Sequence, residues 1–151
     1  IVLLPVIGFA RRRREGEARA FFLGLTTMYL VGFSGYLLVP ASGPYAAFPE
    51  LFSYPVQGGA MTAMLTKVVA AGITGMDVFP SLHSGIGVYV LGFFALGDHR
   101  RIALLLTPVV AALVLATVYL RYHYGIDVLA GVLLAALVLA FVRRYRKEID
   151  A

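Results

Sequence analysis

Two neighbouring runs decide the fold: IALLLTPVVAALVLATVY (Ile102–Tyr119) and GIDVLAGVLLAALVLAFV (Gly125–Val142), parted only by Leu120-Arg121-Tyr122-His123-Tyr124. Each approaches the ~20 residues of helix that cross a ~30 Å hydrocarbon core. The first holds no formal charge and the second only Asp127. A surface helix of a water-soluble domain alternates an apolar stripe with a polar face. These runs are apolar all round, so they read as antiparallel membrane spans joined by a short turn.

Working outward, Ala20–Val39 and Ser81–Gly97 read as further spans. Ile1–Ala10 is apolar but covers only about 15 Å as helix, and is expected to be the end of a span that begins upstream. A cleavable signal peptide is the poorer reading, because no basic segment precedes this run. Pro40 to Pro80 is a long connection rich in Pro, Gly, Ser and aromatics, within which Met61–Ile73 is predicted to be an interfacial or re-entrant helix. The expectation is a single all-α domain over residues 1–151, a polytopic transmembrane helical bundle.

Composition agrees. The 151 residues are 60% hydrophobic and 14% charged, with a mean hydropathy of +0.86, against about 45–50% and 25% in ordinary soluble domains. The net charge of +5 would suit a nucleic acid, but the basic residues lie in short segments between spans. Arg11 to Arg14 with Arg19, then Arg100 and Arg101, then Arg143, Arg144, Arg146 and Lys147 hold 11 of the 13 Lys and Arg. Alternating spans put all three clusters on one side, which the positive-inside rule makes cytoplasmic. No nucleic-acid partner is therefore expected. The chain lacks cysteine, which excludes disulfides.

The opposite, exofacial side receives the Pro40–Pro80 connection and the Leu120–Tyr124 turn. Tyr45, Tyr54, Tyr119, Tyr122 and Tyr124 would form an aromatic belt there, with Lys67 and Arg121 as its basic residues. His99 belongs to the cytoplasmic Asp98–Arg101 turn. The other two histidines, distant in sequence, are both brought to exofacial helix ends. His83 stands in Phe79-Pro80-Ser81-Leu82-His83-Ser84-Gly85, at the start of a span. His123 opens the last one. If that helix is formed at His123, Asp127 lies one turn on and shares its face. Its carboxylate would then accept a hydrogen bond from Nδ1–H and leave Nε2 as a nucleophile. At the other start, Pro favours a first helical turn and Ser caps it. The free N–H groups there make a phosphate cradle to which Ser81, Leu82 and Ser84 contribute, and His83 as imidazolium would protonate a departing oxygen. Ionisable groups within apolar spans are costly and point to function.

At these residues the sequence resembles the type-2 phosphatidic acid phosphatase superfamily, whose Pro-Ser-Gly-His motif is matched by Pro80-Ser81-Leu82-His83 and whose terminal His-x-x-x-Asp is matched by His123 and Asp127. The resemblance implies a six-helix core with its N-terminal part upstream of Ile1. It also implies a lipid phosphatase or phosphotransferase with His123 as nucleophile, Asp127 as its orienter and His83 as the acid, without cofactor or magnesium. Two features depart from the pattern. Ala116-Thr117 stands where the superfamily has Ser-Arg, and the upstream Lys…Arg-Pro motif is replaced by Val39-Pro40-Ala41-Ser42-Gly43-Pro44-Tyr45. That loop, Ser81-Leu82-His83 and Arg121-Tyr122-His123-Tyr124 are more similar to the inositol phosphorylceramide synthase branch, which transfers a head group to a lipid. With the family's Arg residues missing, Arg121 and Lys67 are the candidates to meet a phosphate's charge, and Tyr45 and Tyr124 to touch a head group.

Three rival readings stand beside this one. The same trio serves a phosphatase or a head-group transferase. A non-catalytic lipid-binding or transport protein would keep a degenerate site. Gly32-Phe33-Ser34-Gly35 fits the string around a serine-protease nucleophile, although Ser34 lies deep in its span and needs a His within hydrogen-bond reach. Two His and one Asp make a sparse metal-ligand set.

Overall fold

The computed structural model describes residues 15–52, 58–60, 62–64, 67, 75–97 and 99–149, with the side chains of 147–149 left out. Four long helices build it: α1 (Glu15–Leu38), then, after a four-residue α2 (Pro44–Ala47) and a 3-10 turn (Pro49–Leu51), α3 (Leu82–Leu96), α4 (Arg100–Tyr119) and α5 (Gly125–Ile149). The chain is all-helical among the described residues, apart from one isolated parallel bridge between Ala41 and Asp77. α1, α4 and the 125–146 stretch of α5 are long and apolar enough to cross a membrane.

The expected spans agree with these helices to within a few residues, except that α5 runs on to Ile149 and that α3, at 15 residues, is an apolar helix shorter than the three that can cross a membrane. Ile1–Ala10, Arg11 to Arg14 and Tyr54 lie outside the described residues. Of the predicted Met61–Ile73 helix, residues 62–64 and Lys67 are helical and the remainder lies outside the described residues.

α3 is the centre of the bundle. It packs against α4 on one side and α5 on the other, while α1 covers α5 and α3. The core joins Phe21 and Met28 of α1, Tyr89, Val90, Phe93 and Phe94 of α3, and Ala135, Val138 and Val142 of α5. Tyr89 is fully buried, and its hydroxyl donates to the Phe21 carbonyl at 2.8 Å. Gly24 makes room for that ring, because a Cβ there would strike it. Outside this core the polarity of a soluble protein is inverted, with Leu37, Leu104, Leu105, Leu115, Leu129 and Leu137 exposed. In lipid this costs nothing, since acyl chains are as apolar as Leu.

Contacts fix the direction of each helix. Glu17 at the start of α1 meets His99 before α4, and Arg143 and Arg146 of α5 lie beside Leu96 and Gly97. The cationic segments therefore share one end. At the other end Gly35 packs under Pro80, Ala41 bridges Asp77, and Gly43 sits under the Tyr122 carbonyl. α3 has 15 residues and α4 has 20. With their joined ends level, α4 outreaches α3 by roughly 7 Å at 1.5 Å per residue. The start of α3 is thus recessed below a rim.

Candidate active site

The recess holds a cavity of about 220 Å³. Its described lining comes from three places. Gly43, Tyr45, Gly75, Asp77 and Val78 come from the long connection, His83 from α3, and Leu113, Ala116, Thr117, Leu120, Tyr122 and His123 from the end of α4 and the turn after it. His83 and His123, forty residues apart in the chain, stand with ring centroids 5.9 Å apart.

Local chemistry explains how each is held. Ser81 is the N-cap of α3, and its hydroxyl oxygen accepts the Ser84 N–H at 3.4 Å. Pro80 precedes the cap instead of standing in the first turn, as the sequence had suggested. The Ser81 N–H donates to the Asp127 carbonyl at 3.0 Å, a direct backbone tie between the two motifs. Gly131, one turn beyond Asp127, lets the helices close, because a Cβ there would collide with the Ser81 carbonyl oxygen. Gly85 answers from α3, its missing Cβ facing the Gly131 carbonyl. Neither glycine was singled out from the sequence. Their signal was small residues on the same faces as His83's helix start and Asp127, the usual device for close helix approach in membranes.

On α4's side, the Thr117 carbonyl accepts the N–H groups of both Tyr122 and His123 at 3.1 Å. Arg121 reverses the chain with a φ of 64°, in the left-handed region that non-glycine residues seldom adopt. Its carbonyl accepts the Tyr45 N–H at 3.2 Å, and Tyr45 and Tyr122 pack edge to face at 5.3 Å. The Val39–Tyr45 loop is thereby clamped onto the His123 turn and walls the cavity.

The two histidines occupy different environments. His83 is exposed to the cavity, whereas His123 is 5% exposed. Burial, reinforced by the nearby His83 charge, pushes His123 down to about 4; the Val78 carbonyl and the Asp77 carboxylate oppose the shift. Burial thus favours the neutral form of the His123 imidazole. α5 starts at Gly125 and not at His123, so Asp127 occupies the third helical position. There it accepts the Tyr124 N–H through Oδ2 at 2.7 Å, as the acid of a capping box does. His123 Nδ1 lies 3.9 Å from the same Oδ2, too far for a hydrogen bond, and has no partner. The expected Nδ1–H to Asp127 hydrogen bond is therefore not formed in this structure.

The remaining predicted residues are distributed unevenly. Tyr45 lines the cavity. Ser81 and Ser84 do not, being fully buried with their hydroxyls 3.2 Å apart and bonded to each other. Leu82 is buried against Gly32 of α1. Successive helical residues point about 100° apart, so with His83 facing the cavity its neighbours must face the bundle. The Arg121 guanidinium lies 4.2 Å over the Phe52 ring, and neither Arg121 nor the exposed Lys67 is among the described lining residues. Tyr124, half-buried, is also not among them. Ser34 is exposed on α1 and its hydroxyl donates to the Leu30 carbonyl at 2.8 Å, so it pairs with no histidine. Asp77 and Thr117 were not anticipated as lining residues. Thr117 stands where the related pattern has Arg, and Asp77 is the only acid between Glu50 and Asp98.

A family model described as the PAP2 superfamily matches residues 1–141. No curated protein and no solved structure matches the chain.

Proposed function

Because the chain belongs to the PAP2 superfamily, whose members are generally phosphatases or phosphotransferases, we propose that it transfers the phosphoryl group of a membrane lipid phosphate or phosphodiester through a phosphohistidine. The observation that carries this reading is the histidine pair, 5.9 Å apart on one recessed cavity and unequally buried. Environments that push two titratable groups apart assign a base or nucleophile and an acid. Buried, neutral His123 suits attack on phosphorus. Exposed His83, in its protonated form, suits donation to the leaving oxygen.

In the first step His123 Nε2 bonds to phosphorus, the bond to the leaving oxygen breaks, and the His83 proton passes to that oxygen. Asp127 closes the 3.9 Å gap to Nδ1–H and stabilises the positive charge that develops on the ring, while still capping α5. In the second step an acceptor hydroxyl attacks phosphorus, its proton returns to His83, and the electron pair of the P–N bond returns to His123. Water as acceptor makes a phosphatase. A lipid hydroxyl makes a head-group transferase, the outcome favoured by the likeness to the inositol phosphorylceramide synthase branch. The apolar wall of Leu113, Ala116 and Leu120 suits the acyl end of a lipid, and the positive-inside rule puts the cavity on the exofacial side. Arg121 and Lys67 are the proposed phosphate-facing cations, and Tyr45 the head-group contact.

The test is to trap labelled phosphate on the purified protein. Label is expected on wild type and absent from His123→Ala, and unaltered turnover in that variant would sink the mechanism. Labelled phosphatidic acid, then phosphatidylinositol with ceramide or diacylglycerol, separates the acceptors: free phosphate from the first with no lipid product from the second excludes the transferase.

A further inference from the structure

Asp77 has no role in the mechanism above, yet it lines the same cavity as both histidines. It sits six residues before His83, half-buried, and the parallel bridge to Ala41 fixes its backbone between two walls of the recess. Its charge reaches the His123 ring, where it works against the downward shift. Among the described lining residues Asp77 is the carboxylate, with two His, two Tyr and a Thr as the other polar side chains. The position where the related sequence pattern carries Arg is occupied by Thr117, which lines the same wall.

A carboxylate beside a phosphoryl site has a predictable effect on the substrate's charge. A phosphate monoester carries about −1.5 to −2 at pH 7, whereas a diester carries a single negative charge. Like charges sharing a cavity repel, the more so where it is partly shielded from water, because Coulomb energy grows as the effective dielectric falls. The second charge of a monoester is therefore penalised while the diester escapes most of that penalty. We propose that Asp77 is a specificity-determining residue whose carboxylate directs the site to singly charged lipid phosphodiesters over dianionic phosphate monoesters. This rests on the reading of the cavity as a phosphoryl-transfer site.

The experiment compares dioleoyl phosphatidic acid with dioleoyl phosphatidylglycerol at equal mole fraction in detergent micelles, reading kcat/KM for diacylglycerol release. Wild type is expected to favour the diester. Asp77→Asn and Asp77→Ser, two uncharged replacements of different shape, should each shift the diester-to-monoester ratio toward the monoester by roughly tenfold, the equivalent of about 1.4 kcal/mol. Asp77→Glu, which keeps the charge, should retain the wild-type preference. A merely structural Asp77 would lower both activities together and leave the ratio unchanged, and that result overturns the proposal, as does a wild type that prefers phosphatidic acid. A wild type that turns over neither lipid and traps no phosphate on His123 instead overturns the reading of the site on which the proposal rests.

Discussion

Each end of the bundle holds a histidine beside a carboxylate, His99 half-buried and His123 buried, and the two pairs are built differently. At the cationic end His99 Nε2 lies 3.3 Å from both oxygens of Glu17, with its ring against the Phe94 edge. That pair joins the start of α1 to the turn before α4. At the cavity end His123 Nδ1 stops 3.9 Å short of Asp127 and has no partner. A buried polar group without a partner costs about 1–3 kcal/mol. The first pair ties α1 to the turn before α4; the second leaves His123 Nδ1 without a partner, available to Asp127 in the proposed mechanism.

Replacing both histidines breaks this comparison most directly. His123→Ala should lower turnover by about 10⁴-fold or more, as losing a nucleophile does, with a modest change in stability. His99→Ala should leave turnover per folded molecule within about twofold. It removes the 3.3 Å contact to Glu17 and should cost roughly 1 kcal/mol in a denaturant titration. Equal losses of activity in the two variants would erase the distinction.

Asp127 sharpens it. Asp127→Asn keeps an oxygen to accept the Tyr124 N–H, so α5 stays capped, but it loses the charge that steadies a positive His123. Turnover is expected to fall by roughly 10²–10⁴-fold with little change in stability. Asp127→Ala should lose the same activity and, in addition, about 1 kcal/mol from the cap. The two variants separate capping from catalysis when turnover and unfolding are measured side by side.

The glycines at the two ends give a smaller contrast. A Cβ at Gly131 would collide with the Ser81 carbonyl, whereas one at Gly97 would meet the Phe93 carbonyl at 3.2 Å. Gly131→Ala should cost about 1–3 kcal/mol and, by displacing His83 from His123, up to about 10²-fold in turnover. Gly97→Ala should change turnover little. Crystallographic or NMR distances between the histidine rings would check the displacement.

The smallest effect is a shift of titration. His123 is held at about 4 by burial and by His83. The limb of phosphoenzyme formation that depends on His123 should decline as pH falls through about 4, as the lone pair is protonated. In the unfolded chain the same imidazole titrates near 6.5, so the unfolded state binds the proton first. Stability therefore falls as pH drops from about 6.5 to about 4 and levels off below. In His83→Gln the His123 resonance, followed by NMR, should titrate closer to 6.5. An unmoved titration would leave burial alone as the cause.

Much of this was legible from the chain because membrane spans announce themselves. Ile102–Tyr119 and Gly125–Val142 could be read without any knowledge of packing, since length and apolarity suffice in lipid. The convergence of His83, His123 and Asp127 on one end followed from counting spans, and Tyr45 followed from its loop. Side-chain direction was not legible. Ser81, Leu82 and Ser84 have the right chemistry for a phosphate cradle, but the helix rotation that presents His83 turns them into the bundle. Arg121 was read as a phosphate contact from its closeness in sequence to His123; its guanidinium packs on the Phe52 ring and would have to leave it to meet a phosphate.

The sequence by itself determined an all-helical membrane chain, the order of its spans and which residues share an end. Those depend on local hydropathy and on a two-sided boundary, both of which a linear pattern encodes. Tertiary structure alone decided that α3 is recessed, that Gly85 and Gly131 bring α3 and α5 together, and that Asp77 faces the histidines. It also decided that Asp127 caps α5 with its carboxylate 3.9 Å from His123. These are matters of ångströms between elements distant in sequence, set by how the helices rotate and approach.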